Sequence, residues 1–366
     1  MKVAQLLYSG LGGHGSVVFS LLNADKQGRW QPLLGFLGIE PLSPTYAQVC
    51  EAQSIPYEYF AATAGQPWKT WPAIVRWLKS CQPNAIFLHS VTALLPCLWY
   101  GIYHKVPVIV VEHQCNALKR RIEWVYSHLA MLLAARVVVL TPAYRDELKQ
   151  RLGIFYRDGK VQVIPNGIDT SRFTPEVRLS PLNRTIRLGM ASRFTKIKRH
   201  DILVEMISEL RQRRPEIDWK LSLAGDGESW SGVRQMVQAQ CLEGFISLPG
   251  QLDEQELIYW YQSLDIYVHA SEGETLSTSL LQAMASALPI VASDVSGINN
   301  LIAGDIVCGI LVLKQDSQGF ADAVIQLTNE PGIAAELSRN GRKLVEVSYN
   351  SDRMFSYYMK LLNKHA

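Results

Sequence analysis

An apolar run near the amino terminus passes directly into glycine-rich sequence: KVAQLLY at residues 2–8, SGLGGHGS at residues 9–16 and VVFSLL at residues 17–22. A short, continuously apolar run is typical of a strand buried on both faces of a parallel sheet, and the segment after it is typical of a helix. The glycines allow backbone amides to approach a ligand and leave the helix amino terminus facing it, which favours an anion. The stretch therefore predicts a strand, a turn and a helix, and the turn is either a ligand loop or a tight structural turn.

Eleven more apolar, β-branched runs follow, and longer helical patterns alternate with them. They lie at residues 31–37, 85–89, 106–112, 136–141, 161–165, 186–191, 220–225, 245–249, 265–270, 289–293 and 309–313. Short apolar strands alternating with helices predict parallel sheets covered on both faces. Two such series, each long enough for five or six strands, predict two Rossmann-like, doubly wound α/β domains; twelve strands are too many for a (β/α)₈ barrel.

The domain boundary is expected at residues 165–182, which contain three prolines, one glycine and little periodicity. We expect a first domain at residues 1–168, a linker at 169–184 and a second domain at 185–350. Residues 351–366 predict a helix with one apolar side, which could cross back to complete the first domain. Because ligands of open parallel sheets bind beyond the carboxyl ends of the strands, we expect the ligand in a cleft that the two domains face.

The composition excludes several classes of protein. With 48% hydrophobic and 19% charged residues, bulk disorder is excluded, and a net charge of +3 argues against a general nucleic-acid binder. Residues 1–170 nevertheless carry 16 basic and 10 acidic side chains, so we expect an anionic partner there, either a phosphate or a membrane surface.

The cellular compartment is expected to be the cytoplasm. Six scattered cysteines without C-x-x-C spacing indicate buried thiols in a reducing environment, and no signal peptide is evident. Residues 80–104 lack Asp, Glu, Lys and Arg but contain two prolines, so we expect a strand and a helix rather than a membrane span.

Two cations follow the strand expected at residues 186–191. Arg193 and Lys198 lie five residues apart on a loop that enters a helix, and they could bind the two phosphates of a diphosphate. Lys196, Arg199 and His200 would add positive charge. The alternative is a solvated basic loop.

An acidic residue precedes another expected helix. Ser277 or Thr278 is a plausible N-cap for a helix at residues 279–286, so Glu274 lies just ahead of free amides suited to phosphate. Gln282 interrupts the apolar residues about one turn into that helix. The alternatives are an exposed loop acid at Glu274 and a solvent-facing amide at Gln282.

Two histidines end apolar strands of the first domain, where active-site side chains of such sheets lie. His113 follows one strand and His89 ends the strand before it; either could instead be a structural residue. There is no H-E-x-x-H spacing, no G-x-S-x-G elbow and no G-x-x-x-x-G-K-[ST] loop, which argues against a metallohydrolase, a serine hydrolase and a P-loop nucleotidase.

In order and spacing, these pieces resemble the retaining, nucleotide-sugar-dependent glycosyltransferases of the GT-B architecture (glycosyltransferase group 1), which include bacterial mannosyl- and N-acetylglucosaminyltransferases. The resemblance spans nearly the whole chain. It rests on Gly12-Gly13, His113, the stretch VIPNGID at residues 163–169, Arg193 with Lys198, LAGDG at 223–227, the segment from Ser271 to Glu274, QAMA at 282–285, PIVA at 289–292 and the loop around Gly297.

The resemblance implies a role for each matching position. Arg193 and Lys198 would hold the donor diphosphate and stabilise the leaving group, together with the backbone of Thr275, Leu276 and Ser277. Glu274 would hydrogen-bond the donor sugar and His113 would contact that sugar. Gly12 and Gly13 would approach the diphosphate, residues Gly250, Gln251 and Leu252 would contact the base, Gln282 would lie near the ribose, and His14 and His89 would face the acceptor.

Three departures from the family pattern stand out. Gln282 replaces the usual second glutamate, which binds the ribose; an amide both donates and accepts and carries no charge, so we expect weaker or altered donor binding. Glu274-Thr275-Leu276-Ser277 stands where Glu-Gly-Phe-Gly is common, and His269-Ala270-Ser271 replaces a common Pro-Ser.

The resemblance also implies the chemistry: transfer of a hexose or N-acetylhexosamine with retention, a UDP-sugar favoured on family frequency, no protein nucleophile, no metal and no cofactor. Basic and aromatic residues of the first half suit a lipid-linked saccharide acceptor and a peripheral contact with an anionic membrane: Lys119-Arg120-Arg121 beside Trp124, with Trp68, Trp71, Trp77 and Trp99. This would place the protein in surface polysaccharide or lipopolysaccharide biosynthesis. The alternative is an aromatic core and a solvated helix end.

Two other functions fit the same scaffold. One is a sugar-nucleotide epimerase or hydrolase. The other is a non-catalytic subunit that binds a sugar nucleotide beside a partner transferase, which the amide at Gln282 motivates.

Overall fold

A computed structural model describes residues 1–10, 12–116, 119–176 and 185–363, which fold into two compact units. The first unit comprises Met1–Gly167 and the segment that starts at Ser351; the second is Ile168–Asn350. Of the expected linker, residues 177–184 lie outside the described residues. The part before them packs within the second unit, where Arg172 pairs with Glu254 and the buried Phe173 contacts Tyr261.

The first unit is built on a seven-stranded parallel sheet of order β3-β2-β1-β4-β5-β6-β7. Its strands are β1 Lys2–Tyr8, β2 Gln31–Gly38, β3 Tyr57–Ala61, β4 Ala85–Leu88, β5 Val108–Glu112, β6 Arg136–Val139 and β7 Val161–Val163. Its helices are α1 Gly13–Asn23, α2 Pro44–Ala52, α3 Trp71–Cys81, α4 Leu94–His104, α5 Arg121–Leu133, α6 Pro142–Leu152 and, from the end of the chain, α14 Ser351–Asn363.

The second unit repeats this plan with a six-stranded parallel sheet of order β10-β9-β8-β11-β12-β13. Its strands are β8 Thr185–Ala191, β9 Asp218–Ala224, β10 Ile246–Gly250, β11 Ile266–His269, β12 Ile290–Ser293 and β13 Gly309–Val312. Its helices are α7 His200–Arg213, α8 Trp230–Ala239, α9 Glu254–Ser263, α10 Thr278–Ala285, α11 Asn299–Ile302, α12 Ser317–Asn329 and α13 Pro331–Ser348.

The predicted fold class is confirmed: both sheets are parallel and doubly wound. Strand order reverses at β1 and β4 in the first unit, where Leu6 pairs with Leu88, and at β8 and β11 in the second, where Leu188 pairs with Ile266. In each sheet, this topology binds ligands in the crevice beyond the carboxyl ends of the strand pair where the order reverses. The residues that follow β1, β4, β8 and β11 are therefore the candidates for ligand binding.

One strand was not predicted. β3 has the sequence YEYFA and lies at the edge of the first sheet, where only Phe60 is buried. An edge strand with one buried residue lacks the continuous apolar run that marks the central strands, so a search for such runs passes over it.

The last helix belongs to the first unit, as expected. α14 packs against α1 and buries Phe355 and Tyr358. Trp30 lies between Phe87 of β4 and Phe355, with ring centroids 5.6 Å and 4.9 Å away, and Tyr358 contacts Phe87 edge-on. The end of the chain thus completes the core of the unit in which the chain begins.

None of the helices that the structure describes has the length and apolarity needed to cross a bilayer. The uncharged segment at residues 80–104 contains β4 and α4, which agrees with the expected strand and helix.

We expect Phe355→Ala to lower the free energy of unfolding of the first unit by about 3–5 kcal/mol, because it opens a cavity beside Trp30 in a closely packed core. Urea unfolding followed by tryptophan fluorescence measures this loss. Lys360→Ala, at an exposed position of the same helix, is the matched control. Equal stability of the two variants would show that α14 is not part of this core.

Candidate active site

Three polar side chains meet at the carboxyl edge of the second sheet. Lys198 lies in a short 3₁₀ turn after β8, His269 ends β11, and Glu274 lies in the loop that follows. Because β8 and β11 are neighbours, the loops at their ends come together, and the N–H of Glu272 donates to the carbonyl of Ile197 at 2.9 Å. The Lys198 ammonium donates to Glu274 Oε1, and His269 Nε2 donates to the same oxygen at 2.8 Å.

The carboxylate of Glu274 is largely buried and ionised. Its side chain is 11% exposed, so the alternative of an exposed loop acid is wrong. Burial alone would raise the pKa of Glu274, but the charge of Lys198 and the hydrogen bond from His269 outweigh it and bring the pKa to about 2. Burial also lowers the pKa of His269, which is therefore a neutral hydrogen-bond donor to Glu274.

His269 was not predicted as a site residue, although sequence reasoning could have found it. It is a polar residue at the carboxyl end of an apolar strand, which is the signal that singled out His113. Its other ring nitrogen, Nδ1, lies 3.3 Å from the hydroxyl of Tyr267. The ring is therefore held between two partners in an orientation that serves Glu274.

Arg193 lies on the same loop as Lys198, and glycines shape that loop. The N–H of Phe194 donates to the carbonyl of Asp226 at 2.9 Å. A Cβ atom at Gly225 would meet the Ser192 carbonyl oxygen at 2.0 Å, and one at Gly227 would meet that of Phe194 at 2.5 Å; both glycines also have positive φ. The glycines of LAGDG therefore allow the loop after β9 to pack against the loop after β8, which carries the exposed Arg193.

The positive charge expected from neighbouring residues is smaller than the sequence suggests. Arg199 pairs with Asp201 at 2.7 Å and with Glu272 at 2.6 Å. His200 is buried and stacks on Phe194, and burial followed by repulsion from Lys198 lowers its pKa to about 3, so it is neutral. Lys196 is exposed, so Arg193, Lys196 and Lys198 remain the candidates for binding an anionic ligand.

The amino terminus of α10 follows Glu274 directly. Ser277 is its N-cap and accepts from the N–H of Leu280, and the preceding Thr275 and Leu276 are buried. A Cβ atom at Gly297, where φ is +87°, would meet the Glu274 carbonyl oxygen at 2.4 Å, so only glycine allows the neighbouring loop to approach. Backbone amides at this helix start suit an anion.

Gln282 lies inside the unit, so the alternative of a solvent-facing amide is wrong: the residue is 6% exposed. The hydroxyl of Tyr261 lies 3.1 Å from the carbonyl of Ser279 and 3.2 Å from Gln282 Oε1, and its single proton can serve only one of them. When the proton goes to Ser279, an amide can turn and donate its NH₂ group to the phenol oxygen. A glutamate could not, which gives a physical reason for an amide here.

The residues expected to contact the base lie at the same edge of the sheet. Gly250, with φ of +79°, ends β10, and its carbonyl accepts from the N–H of Gly225 at 2.7 Å. Gln251 and Leu252 then lead to Asp253, the N-cap of α9.

In the first unit, strand order brings the predicted histidines together. β1, β4 and β5 are neighbours; Gln5 lies in the middle of β1, and His89 and His113 directly follow β4 and β5. Gln5 Oε1 lies 3.0 Å from His89 Nε2, and His89 Nδ1 lies 2.9 Å from His113 Nε2. The ring of His14, in the first turn of α1, is 6.5 Å from that of His113.

This chain of hydrogen bonds determines where the protons lie. With Gln5 oriented as here, its amide oxygen accepts from His89 Nε2, so His89 Nδ1 accepts in turn from Nε2 of His113. Burial and repulsion from His14 lower the pKa of His113 to about 3, so its ring is neutral. The two histidines therefore form a neutral hydrogen-bonded relay with Gln5, a member that the sequence did not reveal.

In the glycine-rich loop of this unit, the backbone groups of Gly12 are already hydrogen-bonded within the protein. Tyr46 bonds both backbone groups of Gly12: its hydroxyl oxygen accepts from the N–H at 2.9 Å and its proton goes to the carbonyl at 2.9 Å. A Cβ atom at Gly15 would meet that hydroxyl at 2.0 Å. Gly13 begins α1, and Leu11 lies outside the described residues. The amide of Gly12 is thus held by Tyr46 rather than directed at a ligand.

Lys119 is not a surface residue, contrary to expectation. Its side chain is 2% exposed, and its ammonium lies 3.0 Å from Glu112 and donates to Ser127 at 3.0 Å. Tyr144 also donates to Glu112, at 3.3 Å. A buried pair with these extra hydrogen bonds fixes the end of β5, next to His113, and leaves Arg120 and Arg121 as the exposed cations of the expected basic segment.

Because of the low pKa values of His113 and His200, we expect stability to fall below neutral pH. In the unfolded chain both imidazoles return to a pKa near 6.5. Between pH 6.5 and pH 3 the unfolded chain therefore binds protons that the folded protein does not bind. The free energy of unfolding should then drop by up to about 1.4 kcal/mol per pH unit for each histidine between pH 6.5 and pH 3.

Urea unfolding at a series of pH values measures this slope. His200→Gln should make it shallower by about one proton, whereas His104→Gln, at an exposed position, should leave it unchanged. Identical slopes for all three proteins would contradict the buried neutral imidazoles.

Two family models match most of the chain. Residues 12–172 match the family described as Glycosyltransferase Family 4, and residues 185–330 match Glycosyl transferases group 1. Among curated relatives, a D-inositol 3-phosphate glycosyltransferase of Pseudarthrobacter chlorophenolicus is 28% identical over 64% of this chain and 57% of its own. An N-acetyl-alpha-D-glucosaminyl L-malate synthase of Bacillus anthracis is 30% identical over 46% of this chain and 42% of its own. The chain thus spans about half the length of these relatives.

Solved structures share the fold at low sequence identity. Anabaena Alr3699/HepE, in complex with UDP and glucose, has a TM-score of 0.83 and 18% identity over the full length of both chains. A mutant of TarM from S. aureus, in complex with Fondaparinux, alpha-GlcNAc-glycerol and UDP, has a TM-score of 0.79 and 13% identity over 99% of both. Two doubly wound units, a cation and carboxylate at a helix start and these matches lead to one conclusion: the chain belongs to the group 1 glycosyltransferases of the GT-B architecture.

Proposed function

We propose that the protein is a retaining glycosyltransferase that moves a hexose or N-acetylhexosamine from a nucleotide diphosphate sugar to a saccharide acceptor. The observation that carries this proposal is the Lys198–Glu274 pair, whose side chains are 20% and 11% exposed, beside the amino terminus of α10. A cation, a carboxylate and free helix amides at one point provide the two recognition chemistries that such a donor needs. The cation and amides suit the diphosphate, and the carboxylate suits sugar hydroxyls.

In this proposal Lys198 changes partner when the donor binds. The diphosphate carries more negative charge than one carboxylate, so it competes with Glu274 for the ammonium of Lys198. Arg193 binds the same diphosphate. Glu274, still bonded by His269, then accepts hydrogen bonds from the sugar. Because these groups are fixed before the reaction, they stabilise the charge that develops on the leaving diphosphate without reorganising.

The transfer step needs no covalent enzyme intermediate. The acceptor hydroxyl oxygen forms a bond to the anomeric carbon on the face from which the diphosphate leaves, and the bond from that carbon to the phosphate oxygen breaks. The proton of the acceptor hydroxyl passes to the departing phosphate oxygen. We propose that His113 contacts the donor sugar, held in orientation by His89.

For the donor we propose a UDP-sugar, and no metal or other cofactor. Alr3699/HepE was solved with UDP-glucose, which supports uridine. Among the described residues, no group of three or more His, Cys, Asp or Glu side chains could hold a metal ion. For the acceptor we propose a lipid-linked saccharide of surface polysaccharide or lipopolysaccharide assembly, on the cytoplasmic side of the membrane. The basic first half of the sequence and the exposed Trp68 and Trp99 support it.

A second candidate is a non-catalytic subunit that binds a sugar nucleotide, and the buried amide of Gln282 favours it. If Gln282→Glu gains transferase activity that the parent protein lacks in the absence of a partner, this candidate replaces the first. Formation of an epimer from a UDP-sugar alone would instead indicate an epimerase.

We expect UDP to raise the thermal stability of the protein in the presence of EDTA. A ligand at about 100 times its dissociation constant adds roughly 2.7 kcal/mol, which a thermal-shift panel of UDP- and GDP-sugars detects. Arg193→Ala should abolish the shift, whereas Arg339→Ala, at an exposed position of α13, should leave it intact. A full shift in Arg193→Ala would show that the diphosphate binds elsewhere, and a shift that needs a divalent cation would contradict metal independence.

We expect Glu274→Gln to separate the two halves of donor recognition. It takes the charged partner away from Lys198, so the affinity for UDP should be unchanged or higher, but it replaces an anionic carboxylate by one neutral acceptor oxygen for the sugar hydroxyls. Calorimetric titration with UDP and with UDP-sugars, together with kcat/KM, measures both effects, and kcat/KM should fall at least about 100-fold. The control is Glu243→Gln, an exposed acid of the same unit. Loss of UDP binding with sugar discrimination unchanged would reverse the assigned roles.

A further inference from the structure

One end of the helical layer over the first sheet exposes large apolar side chains. Leu132 and Leu133 end α5, and Ile154 and Phe155 lie in the turn after α6; Ile154 is 87% exposed. Phe155 packs edge-on against His128 of α5 with ring centroids 5.6 Å apart, so the turn and the helix adjoin. We call these four side chains the apolar patch. Contiguous exposed apolar surface of this kind marks an interaction site.

Three cations adjoin the apolar patch. The Lys160 ammonium donates to the carbonyls of Leu132 and Ala134 at 2.7 Å and 3.0 Å, at the end of α5. Arg136 lies three residues after Leu133 and donates to the carbonyl of Ala135 at 2.9 Å, and the exposed Arg157 lies two residues after Phe155. Burial, and then repulsion from Arg136 and Arg157, lowers the pKa of Lys160. Asp158, the acid of the same turn, is paired with Lys149 at 3.3 Å.

The neighbouring helix, α4, also exposes large apolar side chains beside cations. Trp99, Ile102 and Tyr103 are exposed on one face of α4, three and four residues apart, and the rings of Trp99 and Tyr103 stack at 5.6 Å. The ammonium of Lys79 lies 5.4 Å over Trp99, and Lys105 follows the end of the helix. Aromatic side chains with basic neighbours are characteristic of the interfacial region of a bilayer.

We infer that the apolar patch and its cations bind the surface of an anionic phospholipid bilayer. The aliphatic and aromatic side chains enter the interfacial region, and Arg136, Arg157 and Lys160 contact lipid phosphates. Two other binding partners of such a surface, a second copy of this chain and a nucleic acid, fit it less well. A second copy would bring three cations against three cations, and a nucleic acid would gain nothing from Leu132, Ile154 and Phe155.

This surface is separate from the candidate active site and does not rest on the proposed function. The patch lies at the ends of α5 and α6, at the edge of the sheet where β6 and β7 begin. His113 lies at the opposite, carboxyl edge of the same sheet. The cations also differ from the segment Lys119-Arg120-Arg121, which precedes α5 and whose lysine is buried. Attachment here would localise the protein without engaging its chemistry.

Vesicle flotation tests the inference. The wild-type protein should float with vesicles of phosphatidylcholine mixed with phosphatidylglycerol, much less with phosphatidylcholine alone, and less at high salt. Arg136→Ala with Arg157→Ala should lower the partition coefficient by about 25-fold, roughly fivefold per cation. Ile154→Ser with Phe155→Ser should lower it at least about tenfold. Lys160 is left unchanged because it caps α5.

Matched controls come from the second unit. Tyr259→Ser with Leu313→Ser removes two equally exposed apolar side chains, and Arg339→Ala with Lys343→Ala removes two exposed cations; neither should alter flotation. Circular dichroism shows whether each variant is folded. Absence of wild-type flotation with phosphatidylglycerol, or flotation that neither patch variant reduces, would overturn the inference. So would a wild-type dimer in sedimentation that dissociates in the patch variants.

Discussion

The largely buried ion pair between Lys198 and Glu274 is the interaction on which the rest of the site depends. A carboxylate cannot stay ionised in a buried position without a cation and hydrogen-bond donors, and Lys198 and His269 supply both. The two loops that carry them follow β8 and β11, the strands at which the order of the second sheet reverses. The fold thus places the pair at the one edge where a parallel sheet leaves room for a ligand.

A pair of this kind prepares the site for an anionic ligand. The donor diphosphate meets an ammonium that is already in position and exchanges one anionic partner for another, so Lys198 is not desolvated afresh at that moment. The net gain in binding free energy is the difference between the Lys198–diphosphate and Lys198–Glu274 ion pairs. This limits the affinity for the donor, but it leaves Glu274 available to sugar hydroxyls. His269 remains bonded to Glu274 throughout and keeps the carboxylate oriented.

Much of this could be predicted from the sequence, and the exceptions have a common cause. Continuous apolar runs identified every strand except β3, whose single buried residue gives no such run. Arg193, Lys198 and Glu274 could be found because each follows a strand and fits the family pattern. The pairing of Lys198 with Glu274 could not be predicted, and neither could the relay from Gln5 through His89. In both cases the strands involved, β8 with β11 and β1 with β4, are neighbours in the sheet but not along the chain. Lys119 looked like a surface cation because its partners Glu112, Ser127 and Tyr144 lie on three separate elements.

The decisive measurement is a crystal structure of the protein with a bound UDP-sugar. We expect the diphosphate within hydrogen-bond distance of Lys198 and Arg193, next to the amino terminus of α10. We also expect Glu274 to have exchanged Lys198 for hydroxyls of the sugar while keeping His269. A diphosphate bound elsewhere, with Lys198 still paired to Glu274, would contradict it.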